Sequence, residues 1–142
     1  VLFRSEDELR KLIHEKKLEK QVQLIGFRTD MNEILQTADV FAFPSIREGL
    51  GIAAIEALAC GVPLIVADNR GTREYLHNDK NGLICDAFDR NAFVAAIDKV
   101  YSNVEYRKKL ADYCRESVIQ FSTEETVRTM ERIYSTMDKR IS

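Results

Sequence analysis

The sequence predicts an α/β domain: a Rossmann-like, doubly wound parallel sheet flanked by helices, with four strands and a helical C-terminus. Three observations carry this expectation. Short apolar runs alternate with segments of helical period along the chain. The runs, such as Val40-Phe41-Ala42-Phe43, are apolar on both faces, as strands are when helices cover each side of a parallel sheet. With 142 residues, 45% of them hydrophobic, the chain suffices for one domain, which at this size buries about 68–70% of its unfolded surface.

Each element has a local reason. Residues 6–18 read as an amphipathic helix with Leu9, Leu12, Ile13 and Lys16 on one face. Val22-Gln23-Leu24-Ile25 is a strand closed by Gly26. Residues 31–38 form a helix with Asp30 or Thr29 as N-cap. Residues 40–43 are a strand stopped by Pro44. Residues 50–60 are a helix ended by Gly61, with Pro63 beyond it. Residues 63–67 are a further apolar strand, and 72–77 a short helix. Asn81-Gly82 is a turn signal ahead of the strand 83–85. Residues 89–101, 105–121 and 124–137 are helices, the last opened by the capping box Ser122-x-x-Glu125.

Composition excludes several classes. Lys and Arg number 21 against 23 Asp and Glu, a net charge of −2, which argues against a nucleic-acid partner. With 6 Gly and 2 Pro the chain is neither fibrous nor linker-rich. Cys60, Cys85 and Cys114 are odd in number and widely spaced, with no zinc spacing and no disulfide framework, which suits a reducing cytoplasm. His14 and His77 stand too far apart for a helical metal pair and read as surface residues. No signal peptide is legible, because residues 6–20 are dense in charge. Residues 1–5, Val1-Leu2-Phe3-Arg4-Ser5, look foreign to the rest of the chain and match the translation of a common sequencing-adapter end. They read as a non-native tail, with the gene continuing upstream and residues 6–142 forming one domain incomplete at its N-terminus.

Between Gly49 and Ala67 the only charged residue is Glu56, with Ile52, Ala53, Ala59 and Cys60 as its helical neighbours. A helix apolar almost all round is expected to be buried, and a buried carboxylate needs a partner. That partner is either a salt bridge or backbone group, or the hydroxyls of a ligand. A membrane span fails here, because Gly61-Val62-Pro63 breaks the helix and a central glutamate is costly in lipid. The same helix opens on Glu48-Gly49-Leu50-Gly51, where glycines let a ligand reach the backbone and the helix N-terminus favours phosphate. Phosphate and sugar hydroxyls together would suit this loop. A rival is the dinucleotide fingerprint, since Gly49-Leu50-Gly51-Ile52-Ala53-Ala54 fits G-x-G-x-x-G/A, with Asp68 at the end of the next strand. Against it stand the five residues 44–48 between strand and first glycine, the acid directly before Gly49, and the unexplained Glu56.

The run Phe43-Pro44-Ser45-Ile46-Arg47-Glu48-Gly49-Leu50-Gly51, followed by Glu56-Ala57-Leu58-Ala59-Cys60-Gly61-Val62-Pro63, resembles the retaining nucleotide-sugar glycosyltransferases of family four, the group-1 type. The hallmark of that family is two glutamates with seven residues between them, here Glu48 and Glu56. Gly26-Phe27 after the strand 22–25, Ala38-Asp39-Val40-Phe41, Gly71-Thr72-Arg73-Glu74 and Asn81-Gly82-Leu83 follow in the family's order, over roughly residues 6–137. The resemblance implies the two-domain GT-B architecture, with this chain as most of the C-terminal, donor-binding half.

It further implies roles. Glu48 contacts donor sugar hydroxyls near the reacting centre, and is the candidate catalytic residue. Gly49, Leu50 and Gly51 offer backbone amides, Ser45 is a further substrate contact, Glu56 binds the ribose, and Gly26 and Phe27 lie near the base. Glu74 is a supporting residue. Neither cofactor nor metal is implied, and no Asp-x-Asp pair is present. The implied partners are a nucleoside-diphosphate sugar and an acceptor sugar or lipid-linked glycan held by an N-terminal domain. The implied place is the cytoplasm, at the inner face of the membrane with peripheral association, and the implied pathway is bacterial capsule or exopolysaccharide synthesis. The Arg and Lys that grip the diphosphate in this family would precede residue 1, so this stretch alone is expected to be inactive. Besides the NAD-type domain, a sugar-nucleotide epimerase and a receiver-like module are alternatives, but neither has a signature here.

In the common strand order 3-2-1-4-5-6, residues 22–25 correspond to the family's third strand, and the two central strands would precede the chain. Residues 22–25 are then expected either to pair directly with 40–43 or to leave a gap with exposed apolar edges.

Overall fold

The apolar runs and helical segments resolve into α1 (Glu6–Glu15), α2 (Met31–Gln36), β1 (Phe41–Phe43), α3 (Ile52–Ala59), β2 (Leu64–Ala67), β3 (Gly82–Cys85), α4 (Arg90–Ser102), α5 (Val104–Ser117) and α6 (Thr123–Ile141). The structure, a computed structural model, describes residues 6–141, with side chains as far as residue 136. The expected tail, residues 1–5, lies outside the described residues. The chain divides into one unit ending at Met31 and a larger one from Asn32 onward.

In the first unit, α1 carries Glu6, Asp7 and Glu8 in its first turn, where the helix dipole favours acids. Glu6 pairs with Arg10 and Lys11 with Glu15, one turn apart. No residue of α1 is buried. Residues 22–25 do not form the expected strand: the segment enters from a turn closed by Val22 N–H on Leu18 O (2.9 Å), and Val22 and Ile25 are 41% and 45% exposed. Apolar residues alone do not make a strand, because its backbone groups require a ladder partner. Among the described residues the sheet therefore has three strands rather than four.

In the second unit the sheet order is β1-β2-β3, all parallel, with Phe41 opposite Leu64 and Leu64 opposite Gly82. Central β2 is fully buried. Ile65, Leu83 and Cys85 pack with Ala96 and Val100 of α4 and Leu110 of α5, while α3 turns Ala54, Ala57 and Leu58 inward and packs on β1 and β2. The cap at Ser122 agrees with its sequence signal, and Asp89, which the sequence places as the first residue of its helix, is instead the N-cap of α4. Asp89 accepts from the amides of Asn91 and Ala92 at 2.9 and 3.1 Å, and Ser122 Oγ accepts from Glu125 N–H at 3.2 Å. The helix expected over 105–121 stops at Ser117, and a 3-10 turn, Ile119–Phe121, comes after it.

Asn81 is more than a turn residue. It is fully buried, and its Nδ2 donates to Tyr75 O and Ser117 Oγ, both at 2.8 Å. Its Oδ1 accepts from His77 N–H at 2.8 Å, and its carbonyl accepts from Leu64 N–H at 3.1 Å. One side chain thus ties the entry of β3 to α5 and to the segment holding Tyr75.

Candidate functional site

Because the strands are parallel, the loops after β1, β2 and β3 (residues 44–51, 68–74 and 86–89) leave the same edge of the sheet, where such folds bind ligands. The first two loops are joined. Asn69 Nδ2 donates to Ser45 O at 2.7 Å. Asn69 is locked in turn by Thr72, whose N–H donates to Asn69 Oδ1 at 3.1 Å and whose hydroxyl is 3.0 Å from Ala67 O. A Cβ on Gly71 would stand 2.8 Å from Glu48 O and 2.9 Å from Gly49 O. Only glycine lets the Glu48–Gly49 peptide lie this close.

Ser45, Glu48, Gly49, Leu50 and Gly51 therefore come together in one turn between β1 and α3. Ser45 Oγ donates to Glu48 Oε2 at 3.1 Å and lies 3.2 Å from Arg47 O. Glu48 is half-buried, and Gly49 and Leu50 are exposed. Gly51 is the N-cap of α3 at φ 75°, ψ 58°, a left-handed conformation suited to glycine, and has no side chain to cap the helix. The first amides of α3 are thus left free of side-chain capping, and an uncapped N-terminus carries partial positive charge toward an anion.

Sequence reasoning missed Tyr75. It is fully buried beneath this turn, and its hydroxyl has no hydrogen-bond partner among the described residues. A Cβ on Gly51 would meet Tyr75 Oη at 2.7 Å, Phe43 Cε1 at 3.1 Å and Glu48 Cγ at 3.2 Å. Burial, and then the charge of Glu48, push the Tyr75 phenol up to about 12. The one signal in the sequence is an aromatic residue in an otherwise polar stretch.

Glu56 requires a correction. The apolar character of its helix predicts a buried carboxylate, and the carboxylate is exposed. The small face Ala54, Ala57, Leu58 is enough to seat α3, so the other apolar face turns outward, and Ile52 is 67% exposed. Glu56 lines a shallow cleft of about 340 Å³ with Asn32, Gln36, Ala59, Cys60 and Arg115. Burial therefore gives no argument for its having a partner. Gly26, at φ 61°, and Phe27, 94% exposed, belong to the first unit and not to this turn. Glu74 is exposed on the 3-10 turn Thr72–Glu74.

Asp68, the acid the dinucleotide reading assigns to ribose, is engaged on both oxygens by Arg73 at 2.7 and 2.9 Å, and these hydrogen bonds hold its carboxyl below the usual range. A second hollow of about 460 Å³ opens at the ends of β2 and β3, lined by Asp68, Ile84, Cys85, Asp86, Ala87 and Phe88. His14 and His77 are exposed, as expected. The thiols are free, and burial pushes that of Cys114 up to about 12. Among the described residues no group of three or more His, Cys, Asp or Glu side chains is placed to hold a metal ion. Nor is any helix among them long and apolar enough to cross a membrane.

This geometry has known relatives. EpsD of Bacillus subtilis (strain 168), named as a glycosyltransferase, is 40% identical over 110 residues, covering 78% of this chain and 29% of its own length. The UDP-Gal:alpha-D-GlcNAc-diphosphoundecaprenol alpha-1,3-galactosyltransferase of Escherichia coli is 29% identical over 121 residues, covering 84% of this chain and 31% of its own. The crystal structure of a glycosyltransferase from Rickettsia africae superposes with a TM-score of 0.86 at 26% identity, over 94% of this chain and 36% of that one. The chain thus spans about three tenths of the length of the curated relatives it matches. The family described as "Glycosyl transferases group 1" matches residues 4–117. A match over most of the chain, on a parallel α/β sheet shared with glycosyltransferases of known structure, displaces the oxidoreductase, epimerase and receiver readings, and the chain belongs to the group 1 glycosyl transferases.

Proposed function

We propose that residues 6–142 form the donor-binding domain of an enzyme that moves a sugar from a nucleoside diphosphate to an acceptor sugar or lipid-linked glycan, with retention at the anomeric carbon. The observation that carries this reading is the Glu48–Gly51 turn: a half-buried carboxylate directly before an uncapped, glycine-led helix N-terminus. The two features match the two ends of the donor. The departing diphosphate gathers negative charge, and preorganised amides at the start of α3 stabilise it. Glu48 accepts hydrogen bonds from sugar hydroxyls beside the reacting carbon, Ser45 adds a neutral donor, and Glu56 takes the ribose hydroxyls.

The relatives support the substrate class. The name of the E. coli relative gives a UDP-sugar as donor and a lipid-linked sugar as acceptor. We place the enzyme in the cytoplasm at the inner face of the membrane, in bacterial capsule or exopolysaccharide synthesis. The test is calorimetric titration of the full-length enzyme with UDP, GDP and NAD, followed by NMR assignment of the product anomer. Binding of UDP or GDP and a retained anomer are expected. Binding of NAD alone, or an inverted product, would overturn the reading.

A further inference from the structure

A buried, unpartnered hydroxyl is costly, because the group has given up water for nothing. Tyr75 is such a group, and its place is set firmly. Its carbonyl accepts from Asn81 at 2.8 Å, its ring stands edge-on to Phe121 at 6.4 Å, and it is wholly buried. The backbone above it is equally constrained, since the Glu48 and Gly49 carbonyls rest on Gly71. The part free to turn is the Glu48 side chain. The Ser45 hydroxyl holds it at 3.1 Å, long for an O–H···O bond, and that hydroxyl has Arg47 O at 3.2 Å as a second acceptor. Tyr75 Oη and Glu48 Cγ flank one point, the space a methyl group at residue 51 would take.

We propose that Tyr75 is a positioning residue for Glu48: when the Ser45 hydroxyl turns to a bound sugar nucleotide, the Tyr75 hydroxyl takes over one Glu48 carboxylate oxygen and leaves the other facing the donor sugar. The missing side chain at Gly51 is what keeps the path between them open. A bond from phenol to carboxylate is charge-assisted and strong in a buried setting. The unpaired hydroxyl is then a group held ready for the loaded state. The inference rests on the reading that Glu48 meets the donor sugar.

The test uses the full-length enzyme with UDP-glucose, UDP-galactose and GDP-mannose, following release of the nucleoside diphosphate, and compares Tyr75→Phe with Glu48→Gln. For Tyr75→Phe we expect kcat to fall about tenfold, one charge-assisted hydrogen bond in the transition state. Donor KM should stay within about twofold, and the melting temperature should hold or rise as an unsatisfied group is removed. Unchanged kcat in Tyr75→Phe, with Glu48→Gln impaired, overturns the role of Tyr75 alone. A drop in melting temperature with kcat and KM changed together shows a merely structural tyrosine and overturns it too. Full turnover in Glu48→Gln, or no turnover of any donor by the parent enzyme, removes the underlying reading and this inference with it.

Discussion

Gly71→Ala is the sharpest perturbation of the site, because it adds one methyl group and changes nothing else. Gly71 has ordinary right-handed angles, φ −66° and ψ −40°, so alanine meets no backbone strain there. In open space the change would stabilise the chain by about 0.4–1 kcal/mol through the unfolded state. Here the new Cβ would stand 2.8 and 2.9 Å from two backbone carbonyl oxygens, those of Glu48 and Gly49. Ordinary carbon–oxygen contact is wider by roughly half an ångström, so the Glu48–Gly49 peptide must shift outward by about that much. Overpacking of this kind costs about 1–3 kcal/mol, leaving a net loss of about 0–2.5 kcal/mol. The effect on chemistry should be larger than the effect on stability. A misplacement of about 1 Å can cost about a hundredfold, so half of that at Glu48 predicts a fall in kcat of about tenfold. The assay is thermal melting alongside donor turnover in the full-length enzyme. A Gly71→Ala variant that melts at or above the parent and keeps its kcat would refute the close seating of this peptide.

Four further outcomes are expected. Glu48→Gln lowers turnover more than donor affinity, whereas Glu56→Gln weakens nucleoside-diphosphate binding about tenfold; an unchanged Kd in Glu56→Gln would remove the ribose role. Asn81→Ala leaves His77 N–H and Tyr75 O without their side-chain partners and should cost about 2–4 kcal/mol in urea unfolding, so a loss below about 1 kcal/mol would refute its structural role. Asp79 is held below the usual carboxylate range, first by the Tyr106 hydroxyl at 2.6 Å and then by Lys99 at 2.9 Å. A depressed carboxyl stabilises above its unfolded pKa and loses that contribution as pH falls below about 4. Asp79→Asn should therefore be less stable than the parent at pH 7, and the gap should narrow as pH falls from about 4 through the lowered Asp79 pKa; a gap that does not narrow in acid would count against the pairing. Finally, with Phe27, Phe88, Tyr101 and Ile52 at 94%, 83%, 80% and 67% exposed, the 142-residue chain expressed alone should be poorly soluble, marginally stable and without transferase activity. A dispersed, cooperatively melting monomer that turns over a sugar nucleotide would contradict this.

Whatever rests on short-range chemistry is legible in the chain alone. The apolar runs at 40–43, 63–67 and 83–85, the helices between them, the cap Ser122 and the glycine-led start of α3 all come from periodicity, side-chain acceptors and backbone freedom, and the structure has strands at 41–43, 64–67 and 82–85 with that cap and that helix start. The Glu48–Gly51 turn is legible for the same reason, since its residues are neighbours in the chain. Features that depend on a distant partner are settled only by the fold. Residues 22–25 have a strand's composition and no ladder, so they are not a strand. The burial of Glu56 turned on which face of α3 met the sheet, and Ala54, Ala57 and Leu58 met it, leaving the carboxylate in water. Asn81 reads as a turn and serves as a buried tie, because its partners Ser117 and Leu64 come from elsewhere in the chain. In the sequence Tyr75 is marked only as an aromatic residue in a largely polar stretch, which does not place it at the site. Only the fold brings it under Gly51, and a hydroxyl becomes informative once its surroundings have excluded water and supplied no acceptor.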